Sequence, residues 1–283
     1  MIDTEWWTLI LILSIGFSSG LLGAMLGVGG GFLAVPMMGI MLGLSPQTMV
    51  GASITMSFLN ALSGTAYHWD RQRVDFSAGW RLAMATIPGS IGGAFIAGSF
   101  TNQSFNLAFG GLLVLVAALM WFRQDPSTDF GFWNNWTKRI SLPGSWGVAE
   151  ARIVDRWGLV HEYSYNRWLG VSLSFLIGFV SSSLGIGGGI IHVPLLVILL
   201  RFPPHIATAT SLFILSISAL VGTISHLALG HTELAIAVPL SGAGIVGAQF
   251  GVRIASRIEA EKLVRYFAIA MLFVAVRLIW NSR

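Results

Sequence analysis

The chain has 283 residues, of which 54% are hydrophobic and only 10% are charged, whereas an ordinary soluble domain carries about 25% charged residues. This composition excludes a typical water-soluble domain and predicts a polytopic membrane protein in contact with the lipid bilayer. The formal net charge is +4, but basic residues in membrane proteins usually mark cytoplasmic loops, so we expect no nucleic-acid partner. The chain has no cysteine, which excludes disulfides and thiol chemistry.

Ten apolar segments follow one another along the chain. A helix needs roughly 18 to 20 apolar residues to cross a bilayer, and eight segments reach that length: residues 6–26, 47–67, 77–100, 103–122, 167–186, 205–229, 234–252 and 263–280. Two shorter segments, residues 32–44 and 190–200, come directly after glycine-rich phrases. We predict that these two are broken crossings or re-entrant hairpins. No basic region precedes the first segment, so we expect it to be retained and not cleaved as a signal peptide.

The chain contains an internal duplication. Residues 20–68 align with residues 178–226, and 17 of these 49 pairs are identical. The most similar part is the phrase LGVGGGFLAVP (26–36), which returns as LGIGGGIIHVP (184–194). We therefore divide the chain into a first repeat (1–122), a connector (123–166) and a second repeat (167–283). Tryptophans among basic residues in the connector are typical of a segment on a membrane surface.

The basic residues indicate that the two repeats are inverted. If each half crosses five times and the N-terminus is outside, all Lys and Arg residues except Arg277 and Arg283 fall on the inner side. The loop with Arg71 and Arg73 corresponds to residues 227–232, which carry no basic residue, so equivalent loops lie on opposite sides. We predict an all-α polytopic membrane protein of two inverted-topology repeats, about five segments each, in a bacterial-type inner membrane. Both termini are predicted outside and the connector in the cytoplasm.

Inverted repeats with discontinuous helices are typical of secondary transporters. Where a helix stops and restarts, freed N–H groups and the positive end of the next half-helix can bind an anion. The alternative is that the glycines only allow close helix packing. We favour a substrate-lining role, and the candidate glycines are Gly29, Gly30, Gly31, Gly187, Gly188 and Gly189.

The sequence resembles the TauE/SafE family of sulfite exporters. The resemblance lies in the duplicated GxGGG phrase with a following Val-Pro pair, in Ala52-Ser53 and Thr210-Ser211, and in two halves around a hydrophilic connector. It covers both repeats but not residues 123–166. It implies transport of small sulfur-containing anions such as sulfite, sulfoacetate or thiosulfate, coupled to an ion gradient.

Small polar groups line one face of the segment after each glycine phrase. The positions of this face are Ser53, Ser57, Asn60 and Gly64 in the first copy and Ser211, Leu215, Ser218 and Gly222 in the second. Such a stripe can hydrogen-bond an oxyanion while remaining neutral, or it can bond helix to helix. We predict a binding role for Ser53, Asn60, Ser211 and Ser218, and a packing role for Ser57.

Two asymmetric residues complete the predicted site. His192, whose counterpart is Ala34, is ionisable inside a broken segment, and such residues are functional by default. It could take up a coupled proton, or it could be a neutral histidine bonded to a backbone carbonyl. Gln249, opposite Phe95, is a further candidate for substrate binding. We interpret His68 and its counterpart His226 as interfacial caps.

The sequence lacks the motifs of several function classes. The chain has no phosphate-binding loop for ATP and no HExxH or clustered His and carboxylate pattern for a metal. We therefore expect no enzyme activity, no metal and no cofactor, with H⁺ or Na⁺ as the coupling ion. The predicted function is a secondary carrier that works by alternating access. The alternatives are an anion channel and a membrane-embedded enzyme or scaffold.

Overall fold

The computed structural model describes residues 6–26, 29–122, 147–255 and 260–280. The helices of the first half are α1 (Trp6–Leu26), α2 (Gly31–Leu42), α3 (Pro46–Trp69), α4 (Phe76–Ala97) and α5 (Asn102–Phe122). Those of the second half are α6 (Arg167–Leu184), α7 (Gly189–Ile198), α8 (Pro204–Ala228), α9 (Leu234–Ala255) and α10 (Ala260–Trp280). Each of the ten apolar segments thus corresponds to a helix. Four of these, α1, α6, α8 and α9, are long and apolar enough on their own to cross a bilayer.

Local capping explains where several helices begin. The Ser45 side chain accepts a hydrogen bond from the Thr48 N–H ahead of α3, whose first residue is proline. Asp75 caps α4 through the Ala78 N–H at 2.9 Å, and Asn166 caps α6 through the Leu169 N–H at 3.1 Å. Each of these polar residues satisfies one of the N–H groups that a helix start leaves free.

The contacts between the two halves come in equivalent pairs. Helix α1 packs against α9, and α6, which holds the position of α1 in the second half, packs against α4. Helix α3 likewise contacts α9, as α8 contacts α4, while α3 packs against α8 and α5 against α10. Exchanging the halves therefore reproduces these main helix contacts.

Glycines allow the closest of these contacts. Gly89 lies against the Phe175 carbonyl of α6, and Gly247 lies against the Phe17 carbonyl of α1. A Cβ atom at either position would collide with backbone, so no larger residue fits. Large apolar side chains on the outer helices are exposed, among them Phe95 and Phe273. This apolar surface is what an integral membrane protein presents to lipid.

A β-hairpin corrects the all-α prediction. Strands β1 (Val148–Val154) and β2 (Val160–Asn166) pair antiparallel, and the carboxylate of Asp155 accepts the N–H groups of Trp157 and Leu159 at the turn, each at 3.0 Å. One face of the hairpin, including Tyr165, packs into a core with Phe202 and residues of α4, α7 and α8. The sequence analysis placed the connector on a membrane surface and did not predict that part of it packs against the helices. The rest of the connector, residues 123–146, lies outside the described residues.

The described loops gather at two ends of the molecule. At the hairpin end, which comprises residues 70–75, 147–166 and 199–205, Arg156 pairs with Asp70 at 2.6 Å. Tyr163 stacks on Phe202 there, with ring centroids 4.5 Å apart. The far end comprises residues 43–47, 98–101 and 229–233. There the Gln47 Nε2 donates to the Phe100 carbonyl at 3.0 Å.

Candidate functional site

The glycine phrases form the two breaks between consecutive helices. Gly29 and Gly30 have φ angles of 86° and 83°, and Gly187 and Gly188 have 76° and 64°. This left-handed region costs other residues about 1–2 kcal/mol, so glycine is the natural choice at all four positions. Gly30 and Gly188 are the N-caps of α2 and α7, and no side chain caps either helix. Both short helices therefore begin at glycine backbone.

Helix α3 holds the two breaks together. The Ser53 hydroxyl lies 3.0 Å from the Gly31 carbonyl and 2.6 Å from the Gly185 carbonyl. The Asn60 Nδ2 donates to the Gly29 carbonyl at 3.1 Å. Because both side chains are buried, these bonds satisfy carbonyls that would otherwise be costly inside the molecule. We call this meeting of α3 with the two glycine phrases the junction.

Ser57 is the central side chain of the junction. It is fully buried, and a methyl group on Gly187 would lie 2.5 Å from its Oγ, while one on Gly31 would also collide with it. Within the described residues, neither the Ser57 Oγ nor the Asn60 Oδ1 has a hydrogen-bond partner. Buried polar atoms without partners are uncommon and cost about 1–3 kcal/mol. Sequence reasoning gave Ser57 a packing role, although its spacing from Ser53 placed it on the same face.

The equivalent face of α8 makes different contacts. Ser211 is buried and its Oγ has no partner in the described part of the chain. Leu215 holds the position on α8 that Ser57 holds on α3. A Cβ atom added to Gly29 would lie 3.0 Å from the Leu215 Cδ2, so this side chain packs against the first break. Ser218 lies 2.8 Å from the hydroxyl of Ser90 on α4, which is a bond from helix to helix. The junction is thus polar on its α3 side and apolar on its α8 side.

The two asymmetric candidates lie in different surroundings. His192 is in the first turn of α7, directly after the second break, and its buried Nε2 lies 3.2 Å from the hydroxyl of Ser174. The partner of this nitrogen in the described residues is thus a hydroxyl. Gln249 is exposed on α9, and the structure does not bring it to the junction.

The junction itself is closed, because Ser57 fills the space between Gly31 and Gly187. A cavity of about 260 Å³ lies instead toward the far end, between α2, α3, α5 and α10, and Pro36, Asn102, Asn106 and Leu278 are among its lining residues. Helix α2, which begins at the first break, also lines this cavity. Binding at the junction therefore requires the breaks to separate.

The chemistry of the junction is that of a neutral hydrogen-bonding site. Its described groups are two hydroxyls, one amide and glycine backbone, which can bind a small polar solute without forming a covalent bond. In the part of the chain that the structure describes, no group of three His, Cys, Asp or Glu side chains is placed to hold a metal ion.

Discontinuous helices that meet at a buried polar junction inside an apolar helical bundle are typical of membrane transport proteins. Comparison with known families agrees: the family model described as sulfite exporter TauE/SafE matches residues 12–278. The chain belongs to the TauE/SafE sulfite exporter family and is an integral membrane protein of the transporter type.

Curated relatives span nearly the whole chain. The probable membrane transporter protein YunE of Bacillus subtilis is 26% identical over 280 residues, which cover 96% of this chain and 98% of that protein. A probable membrane transporter protein of Xylella fastidiosa (strain Temecula1) is 27% identical, with 96% of each chain covered. The sulfite exporter TauE/SafE family protein 6 of Arabidopsis thaliana is 27% identical over 48% of this chain and 30% of its own. No solved structure matches.

Proposed function

We propose that the protein is a secondary transporter of small sulfur-containing anions such as sulfite, sulfoacetate or thiosulfate. The family description supports this substrate class, and the junction supports the site. The observation that carries the proposal is the buried Ser57 hydroxyl, which has no hydrogen-bond partner among the described residues and is enclosed between the two glycine breaks. When the breaks separate, this hydroxyl donates to one oxygen of the anion.

The remaining donors come from backbone and neighbouring side chains. Helices α2 and α7 begin at Gly31 and Gly189, so the positive ends of both helix dipoles lie next to the junction. Peptide N–H groups at a helix N-terminus bind oxyanions without a buried cation. Ser53 and Asn60 keep the two phrases in place through their carbonyl bonds, and we assign the glycines of both phrases to substrate contact. We leave the exposed Gln249 out of this site.

Transport proceeds by alternating access. Equivalent helix contacts in the two halves support an inverted repeat of five segments each. In this proposal one half rocks against the other about the α3–α8 contact, and the junction opens first toward one end and then toward the other. The hairpin end, rich in Arg and Asp, faces the cytoplasm of a bacterial-type cell, and both termini lie outside.

An ion gradient drives the cycle, and His192 is the proposed proton acceptor in the membrane. It is buried next to the second break, so a charge gained there acts directly on the junction. The variant His192→Ala tests this role: proton-driven uptake should be lost while exchange of anion for anion persists. Unchanged dependence on the pH gradient would show that His192 is not the proton acceptor.

The experiment for the function is uptake of labelled sulfite into proteoliposomes, with unlabelled sulfoacetate, thiosulfate and acetate as competitors. We expect saturable uptake that responds to an imposed gradient and is blocked by the sulfur anions but not by acetate. Current that flows without saturation or coupling would indicate an anion channel. Uptake equally blocked by acetate would contradict the sulfur-anion specificity.

A further inference from the structure

The polar stripe of α8 ends at a buried histidine. His226 lies four residues beyond Gly222 on the same helical face and has no exposed surface. Its Nε2 lies 2.9 Å from the carbonyl of Ser182 on α6, and its Nδ1 lies 3.1 Å from the Nδ1 of His231 in the loop at the far end. Both ring nitrogens of His226 are therefore in hydrogen bonds.

These two contacts fix the protons of the pair. A carbonyl only accepts, so the Nε2 of His226 must carry a hydrogen and donate it to Ser182. In the neutral ring the Nδ1 of His226 is then an acceptor, and the Nδ1 of His231 must carry the hydrogen between the two rings. The Nε2 of His231 is consequently the unprotonated nitrogen of the neutral pair.

The pair can gain a proton without losing a bond. His231 is partly exposed, so its Nε2 is the position that takes up a proton from water. The Nδ1–H···Nδ1 bond stays in place and becomes charge-assisted, and its hydrogen can move across to His226. This transfer carries one positive charge from the surface into the buried end of α8.

The surroundings of the pair leave it neutral near pH 7. Burial lowers the pKa of the His231 imidazole. The neighbouring segments bring the Ser182 carbonyl from α6, Gly98 from the α4–α5 loop and Gly51 from α3, and none of these carries a charge. The loop of His231 also contains Glu233, a titratable residue whose side chain is exposed.

The equivalent position in the first half differs. His68 ends the stripe of α3 at the hairpin end, and its Nδ1 has no hydrogen-bond partner within the described residues. Within the described residues, a ring-to-ring hydrogen bond between histidines is thus found at the far end and not at the equivalent position of the first half.

We propose that His226 and His231 form a proton-binding site that couples proton uptake at the far end to the second glycine break. This inference rests on the proposed transport function. Ser182, the carbonyl partner of His226, lies in the last turn of α6, three residues before Gly185. A charge on His226 strengthens its bond to that turn, so the protonated pair holds α6 and α8 together beside the junction.

The first test reads the protons directly and needs no transport. In protein labelled with ¹⁵N at histidine and held in lipid nanodiscs, ring resonances report tautomer and protonation. We expect His226 as the Nε2–H form, His231 as the Nδ1–H form, and both rings shifting together with uptake of one proton as the pH falls. Two histidines that titrate independently, each with its own proton, would overturn the proposal.

The second test uses proteoliposomes. Gln can replace the neutral hydrogen bonds of histidine but cannot take a charge, so His231→Gln and His226→Gln should lose accumulation driven by a pH gradient and keep sulfite exchange. His205→Gln, at an exposed histidine of the hairpin end, is the matched control and should accumulate normally. Full accumulation in His231→Gln would refute the coupling role. If wild-type protein carries no sulfite, the proposed substrate fails, and the ring resonances still decide whether the pair is a proton site.

Discussion

Single hydroxyl groups have distinct roles on the same face of α3. Ser53 bonds two glycine carbonyls, whereas Ser57, one turn further on, bonds none in the described residues. The stripe was readable from the sequence because its spacing is helical. The different roles of the two hydroxyls could not be predicted from the sequence. They depend on which backbone atoms of a distant glycine phrase, such as the Gly185 carbonyl, lie beside each hydroxyl.

The first prediction concerns Ser53. Replacement by alanine removes the donor that serves the Gly31 and Gly185 carbonyls, so Ser53→Ala should lower the free energy of unfolding by about 1–3 kcal/mol. Ser57→Ala removes a hydroxyl that has no partner among the described residues and should leave stability unchanged or slightly raised. Unfolding of both variants in detergent, followed by circular dichroism, measures the difference. Equal loss in the two would show that the Ser53 bonds contribute nothing.

At the scale of elements, the glycine breaks and the hairpin differ in how much the sequence revealed. The breaks were predictable because four glycines in five positions, twice over, have no use in a continuous helix. The hairpin was missed because its alternation is short and its apolar face looks weak beside long membrane segments. Its burial depends on Phe202 and on α7 and α8, which are distant from it in sequence.

Gly187 tests the need for glycine at a break. Gly187→Ala places a methyl group against the Ser57 hydroxyl in a backbone with a φ of 76°, which should cost about 1–2 kcal/mol of stability. Gly242 is the control, because it lies inside α9 with open space around its Cα. Gly242→Ala should be neutral or up to about 1 kcal/mol more stable. Comparison of the two melting temperatures in detergent decides; no loss in Gly187→Ala would show that this position does not require glycine.

Asp155 sets the pH dependence of hairpin docking. Burial alone raises the pKa of its carboxyl, but the N–H groups of Leu159 and Trp157 and the charge of Arg73 outweigh this, and the pKa is lowered. A carboxyl with a lowered folded pKa contributes stability above its unfolded pKa of about 3.9 and loses it as the pH falls through the folded value. Asp155→Asn should therefore be less stable than wild type at pH 7, with the difference shrinking as the pH falls below about 4 and vanishing only below the folded pKa. A difference in stability between the two proteins that persists below the folded pKa would contradict this.

At the scale of the whole molecule, hydropathy and the duplication predicted each helix to within a few residues. The contacts between the halves could not be predicted in this way, because they depend on how the surfaces of two helices fit together. Helix α1 lies on α9 because Gly20 and Gly247 remove the side chains that would hold their backbones apart. The sequence indicated which segments exist, but the partner of each helix depended on such pairs of surfaces.

The two ends of the molecule should face opposite sides of the membrane. The chain has no cysteine, so single-cysteine variants report sidedness cleanly. Ser99→Cys at the far end should react with an impermeant maleimide from outside intact cells, and Arg152→Cys at the hairpin end should react only after lysis. Both positions are exposed. Reaction of both from the same side would exclude the predicted orientation.

The central claim is that the anion binds at the junction, and sulfite binding to purified protein tests it most directly. Isothermal titration should show affinity for wild type, with Ser57→Ala weaker by roughly tenfold or more, since a hydrogen bond to a charged group is worth about 1.5–3 kcal/mol. Ser63→Ala, on the same helix but off the stripe, should bind like wild type. If all three bind sulfite equally, the site lies elsewhere and the account of the junction is wrong.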